Sequence, residues 1–150
     1  MAAMKKRVKT SGSGRKRLPT QADYEALSEF RYLIRCFLEF SQDAAKAVGL
    51  ATMQHQALLA IRGFSGGAPI AIGDLAERLR VKHHTAVGLI DRLAAAKLVE
   101  RIADPADQRR VLLKLTDRAE HRLAELSAAH LSELSRIEPL LMQIFPGRLR

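Results

Sequence analysis

Apolar residues recur every three to four positions along most of this chain, and that period predicts helices. Over 20–48, Leu27, Phe30, Ile34, Phe37, Phe40 and Ala44 fall on one helical side. Thr20 is placed to cap that helix, Asp23 follows three residues on, and Gly49 ends it. A second helix is expected over 50–64, capped by Thr52 and buried along Met53, Ala57, Leu58 and Ile61. Gly63, Gly66, Gly67 and Pro69 then break the pattern. Residues 69–72 read as a short extended segment. A short helix over 73–80 follows, opened by Gly73 and Asp74, with Asp74 paired to Arg78 one turn on and Leu75, Ala76 and Leu79 inward. After a turn at 81–82, residues 83–96 form another helix with Val87, Ile90, Leu93 and Ala94 as its apolar stripe.

The period then changes. Residues 98–102 alternate like a strand, 103–108 carry two Asp and a Pro like a turn, and 109–115 read as the returning strand. Together they predict a β-hairpin with a long charged tip. Thr116 caps a helix over 117–136, and Leu123, Leu126, Leu134, Ile137, Leu141 and Ile144 continue an apolar seam. Pro139 inside that seam fits the first turn of a separate last helix better than an unbroken rod. Helix–turn–helix followed directly by a hairpin describes a winged helix, a mainly α fold with a small β-wing (α+β).

Composition narrows the partners. The 150 residues fit one domain, and nearly half are apolar. Runs such as that over 57–61 are far short of the ~20 residues a membrane span needs. The basic start has no apolar stretch behind it, so a secretory signal is not expected. The single Cys cannot form an internal disulfide and fits a reducing, cytoplasmic setting. Net charge is +9, which points to nucleic acid or an anionic membrane without choosing between them. Its position says more. Residues 1–18 hold Lys5, Lys6, Arg7, Lys9, Arg15, Lys16 and Arg17 and no acid, so that stretch is +7 and residues 19–150 are only +2. Residues 1–19 read as a flexible basic tail, either an inert extension or an arm that touches phosphates, and 20–150 as one domain.

Residues 72–116 resemble the winged helix–turn–helix of the MarR family of bacterial transcription regulators. The matches are Leu75-Ala76-Glu77-Arg78-Leu79, Asp91-Arg92-Leu93, Leu98-Val99 with Arg101, the wing run Asp104, Asp107, Arg109, Arg110, and Leu115-Thr116. Gly49-Leu50 with Gln54 and the long last helix extend the likeness over ~22–145. The resemblance implies a homodimer joined by long terminal helices at 20–48 and 117–145, with the DNA-binding lobe at 50–116. It also implies a pseudo-palindromic double-stranded operator, frequent repression, and release by a small aromatic or phenolic effector or by oxidation of a cysteine.

In a helix–turn–helix the start of the second helix meets base edges. Here that start is Lys82, His83, His84, Thr85, Ala86 and Gly88. Lys82 offers a phosphate or guanine contact, the two His can donate or accept, and Thr85 can hydrogen-bond or meet a thymine methyl. Relatives commonly carry Arg or another long polar residue at the position of Gly88, so the base contact made there is missing. They also commonly have Gly where Lys97 stands. Lys97 therefore either holds a strained turn or donates to the last carbonyls of its helix. In the wing, Arg109 matches the family Arg that enters the minor groove, with Asp107 or Asp104 positioning it, and Arg110 beside it. Arg78, Arg80 and Arg92 are lesser phosphate candidates.

Tyr32, Phe37, Phe40 and His55 could line an effector cleft or simply belong to the core. Cys36 reads first as a small buried hydrophobe and second as a redox switch. No His or carboxylate cluster has metal-ligand spacing, no cofactor is implied, and no nucleophile has an evident base, so an enzyme is not expected. The competing reading is a non-specific architectural DNA-binding protein, favoured by the basic tail and by Gly88.

Overall fold

The computed structural model describes residues 17–146, so the basic tail lies outside the described residues except for its last three. The chain forms α1 (Gln21–Ala47), α2 (Thr52–Arg62), a 3-10 turn (Ser65–Gly67), β1 (Ile70–Ala71), α3 (Ile72–Leu79), α4 (His83–Ala95), β2 (Val99–Ala103), β3 (Val111–Leu115) and α5 (Asp117–Ile144). The expected winged helix is present, with one long helix on each side. Among the described residues no helix is long and apolar enough to cross a membrane.

Helix α1 starts where its sequence signals placed it. Thr20 accepts from the Asp23 amide and Asp23 accepts from the Thr20 amide, a reciprocal capping box. Helix α2 starts one residue earlier than expected. Ala51 is its cap and Thr52 its first residue, because Gln54 reaches back to the Ala51 amide at 2.9 Å. Its buried side holds His55 with Ala57, Leu58 and Ile61, whereas Met53 turns outward. Helix α3 likewise begins at Ile72, ahead of Gly73 and Asp74.

Three helices end in the same way. The amide of Leu50 reaches Ala45, that of Val81 reaches Ala76 and that of Leu98 reaches Leu93, each spanning five residues. Such an ending needs a left-handed residue just before the donor. In α1 it is Gly49 (φ 76°); in α3 and α4 it is Arg80 and Lys97, both at φ 57°. Lys97 therefore holds the strained turn, and its carbonyl accepts from the Thr116 hydroxyl at 2.8 Å.

The three strands run antiparallel in the order β1-β3-β2, with Ile70 opposite Leu113 and Arg101 opposite Leu113 on the other edge. Leu58, Ile70, Leu75, Ile90, Leu93, Leu98 and Leu113 are the large side chains buried completely. They come from every element of the lobe except β2, so this core sets the angle between α3, α4 and the wing. The stripe of α4 is Ala86, Leu89, Ile90 and Leu93, about one residue's rotation from the expected one.

Helix α5 runs unbroken through Pro139. Ile137 before the proline is buried, and Ile137 and Leu141 face Phe30, Leu33 and Phe37 of α1 across a small apolar cavity of about 130 Å³. Packing on both sides of the proline keeps the rod continuous despite the lost backbone bond. At the other end of the pair, α1, α2 and α5 meet around His130. Its Nδ1 donates to the Leu126 carbonyl at 2.7 Å and its Nε2 meets the Ser41 hydroxyl at 2.8 Å. The rings of Phe37 and Phe40 stand edge-on to it, and the buried His55 ring lies 4.9 Å away.

Two predictions follow from these turns and this junction. Lys97→Gly relieves the left-handed strain and should raise stability by about 1 kcal/mol, read from urea denaturation; a loss would mean that the Lys97 side chain contributes more than its backbone costs. Burial, and after it the charge of His130, pushes the pKa of His55 down. The folded protein thus keeps that ring neutral, while the unfolded chain takes up a proton below its ordinary value of about 6.5. Stability should be full above that pH and fall as pH drops below it. His55→Phe should lessen the fall, and an equal fall in both proteins would assign the acid sensitivity to other groups.

Candidate nucleic-acid interface

The interface candidates occupy the outer side of α4 and the wing. Lys82 caps α4 through its carbonyl, which accepts from the Thr85 and Ala86 amides, leaving its side chain exposed. His83, His84 and Thr85 are exposed beside it. Ala86 is not available: its side chain is 0% exposed and packs into the lobe core, so it cannot touch DNA. Gly88 is helical and half-buried.

The wing tip is built by its acids. Asp104 Oδ1 accepts from the Ala106 amide at 2.9 Å, and Asp107 Oδ1 accepts from the Arg109 amide at 3.0 Å. These side chains fold the turn that a strand would otherwise straighten, which is why β3 begins at Val111 and leaves Arg109 and Arg110 in the loop. The Arg109 side chain is 93% exposed, touching Asp107 only at 3.5 Å. Such a contact is worth little as a stabiliser. Asp107 therefore positions the backbone of Arg109 and leaves its guanidinium free to reach outward.

Arg110 behaves differently. Its Nη2 donates to Asp74 Oδ2 at 3.0 Å, across to the first turn of α3. The expected Asp74–Arg78 pair does not form. Arg78 instead lies over the Phe64 ring at 5.1 Å, and Asp74 ties the wing to the helix–turn–helix. On the opposite edge of the lobe, Asp91 of α4 pairs with Arg101 of β2. Neither pair was visible in the sequence, since partners 36 and 10 residues apart leave no periodic trace. Arg80 and Arg92 are exposed, as is Arg78.

His83, Arg109 and Arg110 share the walls of one cleft of about 350 Å³, floored by Ala71 and Ile72. The start of α4 and the wing tip thus border a common space, which holds the exposed Arg109, the His83 imidazole and Arg110 with its partner Asp74. That geometry suits a polyanion lying across both elements.

The effector candidates do not come together. Phe37, Phe40 and His55 converge on His130, but Tyr32 is 53% exposed on α1 and joins Cys36 instead. A hydrogen bond in which the phenol donates toward Cys36, and after it the charge of that group, push the phenol pKa of Tyr32 up. Cys36 itself is half-buried. His130, which the sequence pattern alone does not single out, completes this cluster. Its one signal there is its place four residues beyond Leu126, on the buried stripe of α5.

Residues 48–110 match the model of the MarR family. A MarR family protein from Bacillus stearothermophilus has the same fold at a TM-score of 0.71 and 17% identity, covering 87% of this chain and 86% of that one. AbsC, a MarR family transcriptional regulator from Streptomyces coelicolor, aligns at 0.65 and 18%, covering 90% and 86%. MepR, a transcription regulator of the Staphylococcus aureus multidrug efflux pump MepA, aligns at 0.67 and 19%, covering 79% and 84%. At such identities the likeness is one of fold. No curated protein matches the sequence. The matched segment takes in α2, α3, α4, β2 and the wing loop up to β3, so the likeness to the MarR family model lies in the winged helix–turn–helix.

Proposed function

We propose that the protein is a homodimeric, sequence-specific double-stranded DNA-binding transcription regulator that acts in the cytoplasm on a pseudo-palindromic operator. The observation that carries this reading is the cleft shared by His83, Arg109 and Arg110. It supports a pose in which the start of α4 enters a major groove while Arg109 reaches the adjoining minor groove, where negative potential favours arginine. Lys82, His84 and Thr85 extend the groove-facing surface, and Asp104 and Asp107 hold the wing turn. Arg110 serves as the tether between wing and α3, and Arg78 and Arg80 as phosphate contacts.

A dimer is supported by the long helices. In a single chain α1 leaves Tyr24, Leu27 and Leu38 exposed, and α5 leaves Leu131, Leu134 and Leu140 exposed. Burying such residues against a second copy removes apolar area that one chain cannot cover. Repression, with release by a small aromatic or phenolic ligand, completes the proposal. What supports it is the apolar cavity between α1 and α5, walled in part by Phe30 and Phe37. The cluster of Phe37, Phe40 and His55 is already filled by His130 and offers less room. A redox response at Cys36 has one observation on its side, the neighbouring Tyr32 hydroxyl, and the thiol is only half-buried.

The deciding experiment selects bound duplexes from a random pool at physiological salt. One inverted-repeat motif, bound by a dimer in sedimentation, is the expected result. Uniform binding that collapses as salt rises would mean a non-specific DNA-coating protein instead. Within the selected motif, Arg109→Ala should weaken binding by roughly tenfold and lower the salt slope by about one. An unchanged slope would remove Arg109 from the interface.

A further inference from the structure

The outer face of α4 is arranged around a missing side chain. At 100° per residue, the side opposite Ala86, Leu89, Ile90 and Leu93 carries His84, Gly88 and Ala95, flanked by Asp91 and Arg92. Gly88 is in the middle of that face. Glycine is the least favoured residue after proline in a helix interior. Nothing in the backbone requires it, since Gly88 has ordinary helical dihedrals. Nor does the protein core exclude a side chain: a Cβ at this position would meet one atom within 4 Å, the Nη1 of Arg92, at 3.9 Å.

The gap is therefore occupied by a guanidinium from the next turn. Helical side chains lean toward the N-terminus, so a residue covers the surface about one turn before its own Cα. Arg92 thereby delivers its charge toward the end of α4 that holds His84 and Thr85. Its neighbour Asp91 does not neutralise it, being engaged by Arg101. Among the described residues no carboxylate lies within ion-pair distance of Arg92.

We infer that Arg92 is a specificity-determining residue, reading a guanine edge in the major groove through the gap that Gly88 leaves. The inference rests on the DNA-binding reading above. A planar guanidinium matches guanine O6 and N7 with two parallel hydrogen bonds from one rigid fork, whereas lysine reaches them only as a flexible point charge. Gly88 contributes by absence: any branched side chain there would push the guanidinium off the groove-facing surface.

Selection from a random duplex pool tests this with the wild type, Arg92→Ala, Arg92→Lys and Gly88→Leu, each checked for a native helical spectrum. The wild-type motif should hold a G·C pair in each half-site that Arg92→Ala no longer specifies, with affinity for the wild-type motif down by about tenfold or more. Arg92→Lys should weaken the preference for the same pair while keeping the salt slope. Gly88→Leu should lose it too, although Arg92 is still present. If Arg92→Ala keeps every position of the motif and binds all sequences more weakly with a salt slope lower by about one, Arg92 is a phosphate contact and the inference is overturned. A full motif retained by Gly88→Leu overturns it as well, because the gap is then unused. A wild type that selects no motif is a separate failure, which removes the regulator reading itself and this inference with it.

Discussion

The lobe depends on the burial of β3 between β1 and β2, centred on Leu113. This residue is fully buried and pairs with Ile70 on one edge and Arg101 on the other. Through Ile70 it meets the start of α3, and through Leu75, Ile90 and Leu93 the shared core reaches α4. Removing one such leucine from a packed core costs about 2–5 kcal/mol. More than stability hangs on it. The polar residues of α3 and α4 proposed to face DNA are the reverse side of helices whose other side enters this core. His84 looks outward because Ala86 and Ile90 look inward, and the wing points where it does because Leu113 and Leu115 are held.

Charge acts locally on that frame. The lobe over 62–118 has 11 basic and 7 acidic residues, a modest excess of +4. What matters is which acids are occupied. Asp74 is bound to Arg110 and Asp91 to Arg101, so one carboxylate on each of α3 and α4 is matched by a wing cation. These pairs are half-exposed and worth little as stabilisers. Their effect is arrangement. They neutralise local negative charge on the surface proposed to meet phosphates, and they attach β2 and the loop before β3 to the helices. Arg109, by contrast, is held through its backbone and leaves its side chain to solvent.

The sequence was legible where one short-range rule decided the outcome. The capping box at Thr20 and Asp23, the Gly49 stop, the Thr116 cap and the turn acids of the wing all act within a few residues. It was less legible where two apolar readings competed. Val87 and Ala86 are both acceptable in a core, so periodicity alone left α4 uncertain by one residue's rotation, and Ala86 was wrongly turned toward DNA. Met53 and His55 exchanged places for the opposite reason, since a polar ring buried among aromatics contradicts hydropathy. Pro139 was read from backbone chemistry alone, while packing of Ile137 and Leu141 against α1 decided the case. The pairing of Asp74 with Arg110 depends on the completed fold and has no local signature.

The same contrast explains how the lobe is registered against the long helices. Helix α2 leads into the lobe, and it meets α1 and α5 at His130. Both nitrogens of that ring are engaged, one by the Leu126 carbonyl of its own helix and one by Ser41 of α1, while the His55 ring of α2 packs alongside. A polar ring in such a site is directional in a way that leucine is not. Its two bonds favour one rotation of α1 against α5, since another rotation would hand one of its half-buried nitrogens to water or leave it unpaired. The exposed Arg62–Glu120 pair at the far end of α2 supplies no comparable constraint. Through the Ser41–His130–His55 stack, then, the relative placement of two paired lobes in the proposed dimer would be set by one half-buried imidazole and not by surface charge.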